Sequence, residues 1–126
     1  MSSVVHPDGR WSFDVQEAIA LDGDTCIVTC DLGFGVSQKF ALRLAGISAP
    51  ELGQPGGTEA HEAFSRWLVE RAPLVVVVHR RESGAWVRSF ARWVGNLHTA
   101  DGSDPPAAAM MVSAGHAWSL PPWDDG

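Results

Sequence analysis

The chain has 126 residues, of which 45% are hydrophobic, and its formal net charge is −6 at pH 7. This length fits one domain that buries a core without disulfides, and the composition excludes a wholly disordered chain. No apolar run approaches the roughly 20 residues of a membrane-spanning helix, so no contact with a membrane is expected. Met1 to Arg10 contains no apolar segment of the signal-peptide type.

The acidic surplus limits how the chain could meet nucleic acid. Acidic residues outnumber basic ones by 15 to 9, and Lys39 is the only lysine. Long-range attraction to a polyanion is therefore unfavourable, which argues against a broad DNA-coating surface. A local phosphate site stays open, because arginine matches phosphate geometry in a bidentate manner.

The two cysteines, Cys26 and Cys30, indicate a reducing compartment. On one straight strand they would lie roughly 13 Å apart. A disulfide tolerates only about 7 Å between Cα atoms. We therefore expect buried free thiols and a cytoplasmic location.

Residue patterns in the first half of the chain predict three strands. The predicted strands are Trp11 to Gln16, Thr25 to Asp31 and Lys39 to Ile47, with a tight turn at Asp22-Gly23-Asp24 and a Pro- and Gly-rich loop from Ser48 to Gly57. The leucines beside Arg43 share a face, which directs the arginine away from the core.

The second half adds a helix, two strands and a short helix. The predicted elements are an amphipathic helix capped by Thr58 and ending before Pro73, a buried strand from Leu74 to Val78, a polar turn from Arg80 to Gly84, a strand from Ser89 to Leu97, and a short helix from Asp104 to Ala114. We assign residues 1–10 to an N-terminal arm, 11–118 to the domain and 119–126 to a loose tail.

This order predicts a mainly β (α+β) fold. Three meandering strands, a helix and two more strands are typical of an OB-fold five-stranded barrel, here with one helix between strands 3 and 4 and a short C-terminal helix. The order also allows another small α+β domain.

Several carboxylates and arginines would cluster on one rim if the strands close into a barrel. Asp22 and Asp24 crowd a turn, Glu51 follows the strand that carries Arg43, and Arg92 lies on a late strand. Carboxylate oxygens bind hard cations, and paired guanidiniums can stabilise charge on a phosphoryl group. The cluster indicates metal-assisted phosphodiester hydrolysis, although each residue taken singly is typical of an ordinary turn or a solvated surface.

Two spaced motifs carry a family resemblance. Leu21-Asp22-Gly23-Asp24-Thr25, followed by Arg43-Leu44-Ala45-Gly46-Ile47-Ser48-Ala49-Pro50-Glu51, resembles the paired signature of the staphylococcal nuclease (thermonuclease-like) family. Phe90-Ala91-Arg92-Trp93 is similar to the family's Tyr-Gly-Arg segment, and Met111 to Trp118 to its closing helix. The resemblance runs from about Trp11 to Trp118 and implies the same OB barrel.

The resemblance implies a role for each matched residue. Asp24 matches the metal-binding aspartate of the turn, and Glu51 the glutamate that positions or deprotonates the attacking water. Arg43 and Arg92 match the two arginines that grip the scissile phosphate and so contact nucleic acid. The implied cofactor is Ca²⁺, with Mg²⁺ and Mn²⁺ as alternatives, and the implied substrate is DNA or RNA, single-stranded or locally unpaired.

Departures from the pattern keep a second interpretation open. Ser48 stands where the family places another calcium-binding aspartate, and Ala91 replaces a glycine. We therefore take Asp24, Asp22 and Ser48 as candidate metal ligands, with Ca²⁺ weakly bound or absent. The alternative is a catalytically impaired OB module that binds single-stranded nucleic acid or a protein partner. A weaker third option is a structural part of a larger assembly, such as a phage particle.

Exposed aromatic rings are candidates for stacking on bases. The chain has six tryptophans, and most of them are expected in the core or at its rim. Trp93, Trp118 and Trp123 are the candidate platforms, and Trp123 is assigned to nucleic-acid binding.

Overall fold

The computed structural model describes residues 3–5 and 11–121. Over these residues the elements are, in chain order, β1 (Ser3–Val5), β2 (Trp11–Ala20), β3 (Thr25–Gly33), β4 (Val36–Leu44), β5 (Ile47–Ser48), α1 (Gly57–Glu70), β6 (Leu74–Val87), β7 (Phe90–Thr99), α2 (Ala107–Ser113) and β8 (Trp118–Ser119). The fold is mainly β, as the sequence predicts.

Five long strands close into a mixed barrel. The order around the barrel is β2, β3, β4, β7 and β6, and β6 pairs back onto β2. The β4–β7 pair is parallel, and the other barrel pairs are antiparallel. This arrangement confirms the predicted five-stranded OB-like barrel, with one helix between its third and fourth strands and a short helix after the fifth.

Both helices pack against the barrel through apolar faces. Phe64, Trp67 and Leu68 of α1 join the same buried cluster as Leu42 and Leu44 of β4. Apolar burial of this kind contributes roughly 25 cal/mol per Å² and stabilises the closed barrel. Within residues 3–5 and 11–121, no helix is long and apolar enough to cross a bilayer.

The two cysteines are buried free thiols, as predicted. Burial raises the pKa of Cys30 to about 12 and also raises the pKa of Cys26. Both side chains therefore stay protonated at neutral pH, and a neutral thiol is a poor nucleophile and metal ligand. The cysteines belong to the core.

The predicted polar turn from Arg80 to Gly84 is wrong, because β6 continues through it to Val87. The chain reverses at Arg88 and Ser89, which both have positive φ angles (49° and 70°). A register shift between Arg81 and Trp86 absorbs the polar residues while β6 stays paired with β7. The resulting hairpin places Glu82 beside β7.

The start of α1 also differs from the prediction. The residue that caps the helix is Gly56, which has a left-handed φ of 85° and makes no side-chain cap hydrogen bond. Thr58 lies one residue inside the helix and is exposed. A Cβ on Gly57 would overlap the Glu51 carbonyl oxygen and would lie 3.2 Å from the Leu52 Cα. Close approach of two backbone segments therefore fixes this helix start.

Gly57→Ala should destabilise the protein by about 2 kcal/mol, because backbone atoms must move to admit the methyl group. Thr58→Ala is the matched control and should cost less than about 0.5 kcal/mol, whereas a capping threonine would cost about 1 kcal/mol. Chemical denaturation of both variants measures the difference. Equal losses in the two variants would contradict the backbone clash.

The C-terminal segment is attached where the sequence predicts a loose tail. Trp118 and Ser119 form β8, which pairs with Ile47 and Ser48 of β5. The Leu120 amide also donates to the Gly46 carbonyl oxygen at 2.8 Å. This pairing holds the chain beside the loop that follows β4. Trp123 lies outside the described residues.

Candidate active site

One polar cavity of about 440 Å³ gathers the residues singled out by the sequence. Its walls come from the turn after β2, the end of β4, β5 with the following loop, β7 and β8. The predicted site residues that line it are Asp22, Asp24, Arg43, Ser48, Glu51 and Arg92. The structure therefore brings together all the predicted site residues that lie within the part of the chain it describes.

Lack of space explains the glycine between the two turn aspartates. A Cβ on Gly23 would come within 2.7 Å of the Cβ atoms of Ala49 and Ala60. The turn is therefore wedged between the loop after β5 and helix α1. A larger residue would push both carboxylates away from the cavity.

Asp24 is buried, and it joins the start of β3 to the loop after β5. Its Oδ1 accepts a hydrogen bond from the Thr25 hydroxyl at 3.1 Å, and its Oδ2 accepts one from the Ala49 amide at 3.0 Å. The Arg43 Nη2 lies 3.9 Å from the same Oδ2. These contacts fix the position of the carboxylate.

Asp22 is the second carboxylate of the turn. Its Oδ1 accepts a hydrogen bond from the Asp24 amide at 3.0 Å. Burial raises the pKa of Asp22 to about 6, and the side-chain hydrogen bond with Asp24 and the charge of Asp24 act in the same direction. The two carboxylates therefore lie close enough to interact directly.

The raised pKa of Asp22 predicts a pH-dependent stability in the absence of divalent cations. Folded Asp22 keeps its proton up to about pH 6, whereas the unfolded group loses it near its ordinary value of 3.8. The native state binds more protons in this window, so the free energy of unfolding falls as pH rises from about 4 to about 6. Asp22→Asn should remove roughly 1–3 kcal/mol of this fall.

Denaturation in chelator between pH 4 and pH 8 measures this effect. The asparagine keeps an acceptor oxygen for the Asp24 amide, so the turn can persist. Glu62→Gln, on the exposed surface of α1, is the control and should leave the pH profile unchanged. An unchanged slope in Asp22→Asn would contradict the assignment of the effect to this group.

The two arginines are held in different ways. Arg43 is 13% exposed, and its Nη1 donates to its neighbour's carbonyl oxygen, that of Leu44, at 3.3 Å. Arg92 donates to Glu82 through Nε at 2.7 Å and through Nη2 at 2.8 Å. The bond to Glu82 raises the pKa of Arg92. Sequence reasoning missed Glu82, because its polar surroundings were taken for a turn.

Glu51 lies on a loop in which its backbone forms hydrogen bonds with Gln54. Its amide donates to the Gln54 Oε1 at 3.2 Å, and its carbonyl oxygen accepts a hydrogen bond from the Gln54 amide at 3.0 Å. The residue is exposed at the edge of the cavity. Gln54 was not predicted, and nothing in the sequence marks it apart from its place three residues after Glu51.

The candidate stacking residues separate in space. Trp118 is 53% exposed and lines the cavity of the site. Trp93 lines a different, apolar cavity and packs against Phe40 at a centroid distance of 6.4 Å. Trp118 is therefore accessible to a ligand in the site, and Trp93 is half-buried and packs against the barrel core.

The cavity offers few charged side chains as ligands for a cation. Over residues 11–121, no group of three His, Cys, Asp or Glu side chains lies close enough to bind a metal ion. What remains is the pair Asp22 and Asp24 with neutral oxygens such as the Ser48 hydroxyl. Hard oxygen donors of this kind suit Ca²⁺, Mg²⁺ or Mn²⁺, and two carboxylates are a small ligand charge for a divalent cation.

Comparison with known proteins gives distant matches to one kind of enzyme. The chain is 25% identical over 126 residues to a probable staphylococcal-like nuclease of Oryza sativa subsp. japonica, CAN3, covering 96% of this chain and 31% of the relative. It is 29% identical over 89 residues to the staphylococcal-like nuclease CAN1 of Arabidopsis thaliana, covering 71% of this chain and 24% of the relative. No family model matches the chain.

The matches agree with the fold and with the motifs described above. The chain spans about a third of the length of the first two curated relatives it matches. The chain is thus distantly similar to the staphylococcal-like nucleases, and its OB-like barrel is consistent with the fold expected from that similarity.

Proposed function

We propose that this domain hydrolyses phosphodiester bonds of DNA or RNA with the help of a divalent cation. The observation that carries the proposal is the convergence of two carboxylates, two guanidiniums and Glu51 on one polar cavity of about 440 Å³. Phosphodiester hydrolysis needs a base for water and positive charge for the phosphoryl oxygens, and this set supplies both.

The arginines would bind and stabilise the phosphate. Arg43 and Arg92 both line the cavity, and a guanidinium donates two parallel hydrogen bonds to phosphate oxygens. Because Arg43 is largely shielded from water, its charge is screened less than at an exposed site. Negative charge that develops on the phosphoryl oxygens is thereby stabilised.

Glu51 would act on the attacking water. Its carboxylate is exposed at the cavity edge, so water has access to it, while the hydrogen bonds with Gln54 fix its backbone. A carboxylate in this position can accept the proton of a water molecule as the water attacks the phosphorus atom.

Asp22 and Asp24 would hold the divalent cation, with Ser48 as a neutral donor. When bound, the cation supplies Lewis-acid charge to a phosphoryl oxygen or to water. The hydrogen bonds to Asp24 from Thr25 and Ala49 orient that carboxylate before a cation arrives. With two carboxylates, we expect Ca²⁺ affinity toward the weak end, on the order of 10⁻³ M.

The substrate in this proposal is single-stranded or locally unpaired nucleic acid. Trp118 exposes a ring face beside the cavity, and base stacking on an aromatic ring contributes roughly 1–3 kcal/mol per base. The net charge of −6 disfavours a long basic track, so binding should depend on contacts close to the site.

The test is cleavage of single-stranded DNA and RNA by purified protein in Ca²⁺, Mg²⁺, Mn²⁺ or chelator. Cation-dependent cleavage that chelator abolishes supports the proposal, with cations supplied at millimolar concentration because the expected affinity is weak. Cleavage that persists in chelator, or none under any condition, contradicts it.

A second candidate is a binding module without catalysis. Ser48 favours it, because a hydroxyl in place of a carboxylate leaves the metal site with less negative charge. Such a module would bind single-stranded nucleic acid or a protein partner equally well in chelator. Oligonucleotide binding in chelator, together with no cleavage in any cation, would select this candidate.

A further inference from the structure

The ion pair between Arg92 and Glu82 has a defined geometry. The Nε of Arg92 donates to Glu82 Oε2 at 2.7 Å, and the Nη2 donates to Oε1 at 2.8 Å. The arginine side chain is 25% exposed and the glutamate 22%. A bidentate, partly buried pair of this kind holds its two side chains far more firmly than an exposed ion pair.

The atoms involved decide what Arg92 can still do. Glu82 takes the side edge of the guanidinium, formed by Nε and Nη2. The end edge, formed by Nη1 and the second hydrogen of Nη2, lies outside this pair. An arginine can therefore keep Glu82 on its side edge and donate to a phosphate through its end edge.

The surroundings place Arg92 beside the candidate site. Its side chain lines the same cavity as Asp22, Asp24 and Arg43. Glu82 comes from β6, whose pairing with β7 continues on both sides of the contact. Glu82 lies at the register shift of β6, between residues that pair with β7, and contacts the guanidinium without itself lining the cavity.

We propose that Glu82 is a positioning residue that holds Arg92 by its side edge, so that the end edge is presented to a phosphate in the cavity. This inference rests on the proposed function. A guanidinium already fixed in its reactive orientation loses little rotational freedom when the transition state forms. The opposite role, in which a phosphate must displace Glu82, would make Glu82 an inhibitor of binding.

Kinetics of single and double variants separate these roles. Glu82→Gln has the same size but offers the guanidinium one acceptor, so the bidentate pair is lost. We expect kcat to fall about 10- to 100-fold with KM changed less than about 3-fold. In an Arg92→Ala background, Glu82→Gln should have no further effect on cleavage, because Glu82 acts through Arg92.

The chain supplies a matched control in the exposed ion pair between Arg71 and Asp104, which is 2.9 Å long and lies outside the cavity of the site. Asp104→Asn breaks that pair and should leave kcat unchanged. A lower KM in Glu82→Gln, or equal losses with and without Arg92, would overturn the positioning role.

A spectroscopic measurement separates this inference from the proposed function. In the Glu51→Gln background, the hydrogen bond to Glu82 should shift the Arg92 Nε–H signal in ¹H–¹⁵N spectra away from that of an exposed arginine and protect it from exchange with water. Both features should persist when a single-stranded oligonucleotide binds. Loss of that signal on binding means displacement of Glu82 and overturns the inference. If the unmodified protein binds oligonucleotide without cleaving it, the proposed function fails while the Nε–H signal still decides the role of Glu82. Absence of both binding and cleavage overturns the two together.

Discussion

Glu51→Gln should lower kcat for nucleic-acid cleavage about 10²- to 10⁴-fold, while oligonucleotide affinity stays within about 3-fold of the unmodified protein. Glutamine has almost the same shape as glutamate but cannot take a proton from water. The hydrogen bonds that shape the loop use the Glu51 backbone, not its side chain, so the loop should survive the change. Single-turnover cleavage and fluorescence anisotropy measure the two quantities.

The control for this variant is Glu62→Gln, which removes one exposed carboxylate on α1, away from the residues that line the cavity. It changes the net charge by the same amount as Glu51→Gln. Because it lies outside the site, it should leave both kcat and affinity unchanged. A fall in affinity that accounts for the whole loss of activity in Glu51→Gln would contradict the role of Glu51 as a base.

The sequence was most informative where residue spacing and residue chemistry agree. Asp24 and Glu51 stand 27 positions apart, yet both line one cavity, because the antiparallel pairing puts the start of β3 beside the end of β4. The alternation of leucines around Arg43 correctly predicts that this side chain points away from the core cluster, and the structure places its Nη2 3.9 Å from Asp24 Oδ2. Local periodicity fixes a side chain's face, and the fold class then fixes which faces meet.

Glu82 shows what local patterns could not provide. Ser83, Gly84 and the neighbouring arginines are typical of a turn, but they form an irregular stretch inside β6, where Gly84 has a φ of 71° and the pairing with β7 resumes at Trp86. Glu82 and Arg92 are only ten positions apart, but residue propensities in this window do not show that the strand resumes after the polar residues. The partner of Arg92 was therefore missed because the chain reversal was expected at Arg80 to Gly84, whereas it occurs at Arg88 and Ser89.

The start of α1 was misjudged for a related reason. Thr58 has the residue type of an N-cap, but the cap lies two residues earlier, at Gly56, because Gly57 packs against the Glu51 carbonyl oxygen. That contact joins the helix to the loop that carries the candidate base. A contact between two backbone segments leaves no side-chain pattern apart from the glycine itself.

The second large effect is expected from a substitution at Ser48. The side chain lines the cavity with Asp22 and Asp24, where the ligand charge is low for a divalent cation. Ser48→Asp should therefore increase Ca²⁺ affinity by about 10- to 100-fold, because affinity rises with the number of charged oxygen ligands. Cleavage at limiting Ca²⁺ should rise in parallel, up to the point at which the site is saturated.

The same substitution should have opposite effects on stability with and without cation. In chelator a third carboxylate repels Asp22 and Asp24, so the melting temperature should fall, and in millimolar Ca²⁺ it should rise by mass action. Gln38→Glu adds the same charge on the exposed part of β4, outside the cavity of the site, and should show neither effect. Calcium titration by calorimetry, followed by thermal melts, measures both.

The outcome for Ser48→Asp also distinguishes the two candidate functions. If the unmodified chain cleaves and Ser48→Asp cleaves at lower Ca²⁺, the native site is a working nuclease centre with weak metal binding. If only Ser48→Asp cleaves, the barrel and the positions of Arg43 and Glu51 are competent, and the missing carboxylate alone accounts for the lost activity. Unchanged Ca²⁺ affinity would show that residue 48 does not reach the cation, and the metal would then depend on the Asp22 and Asp24 pair without it.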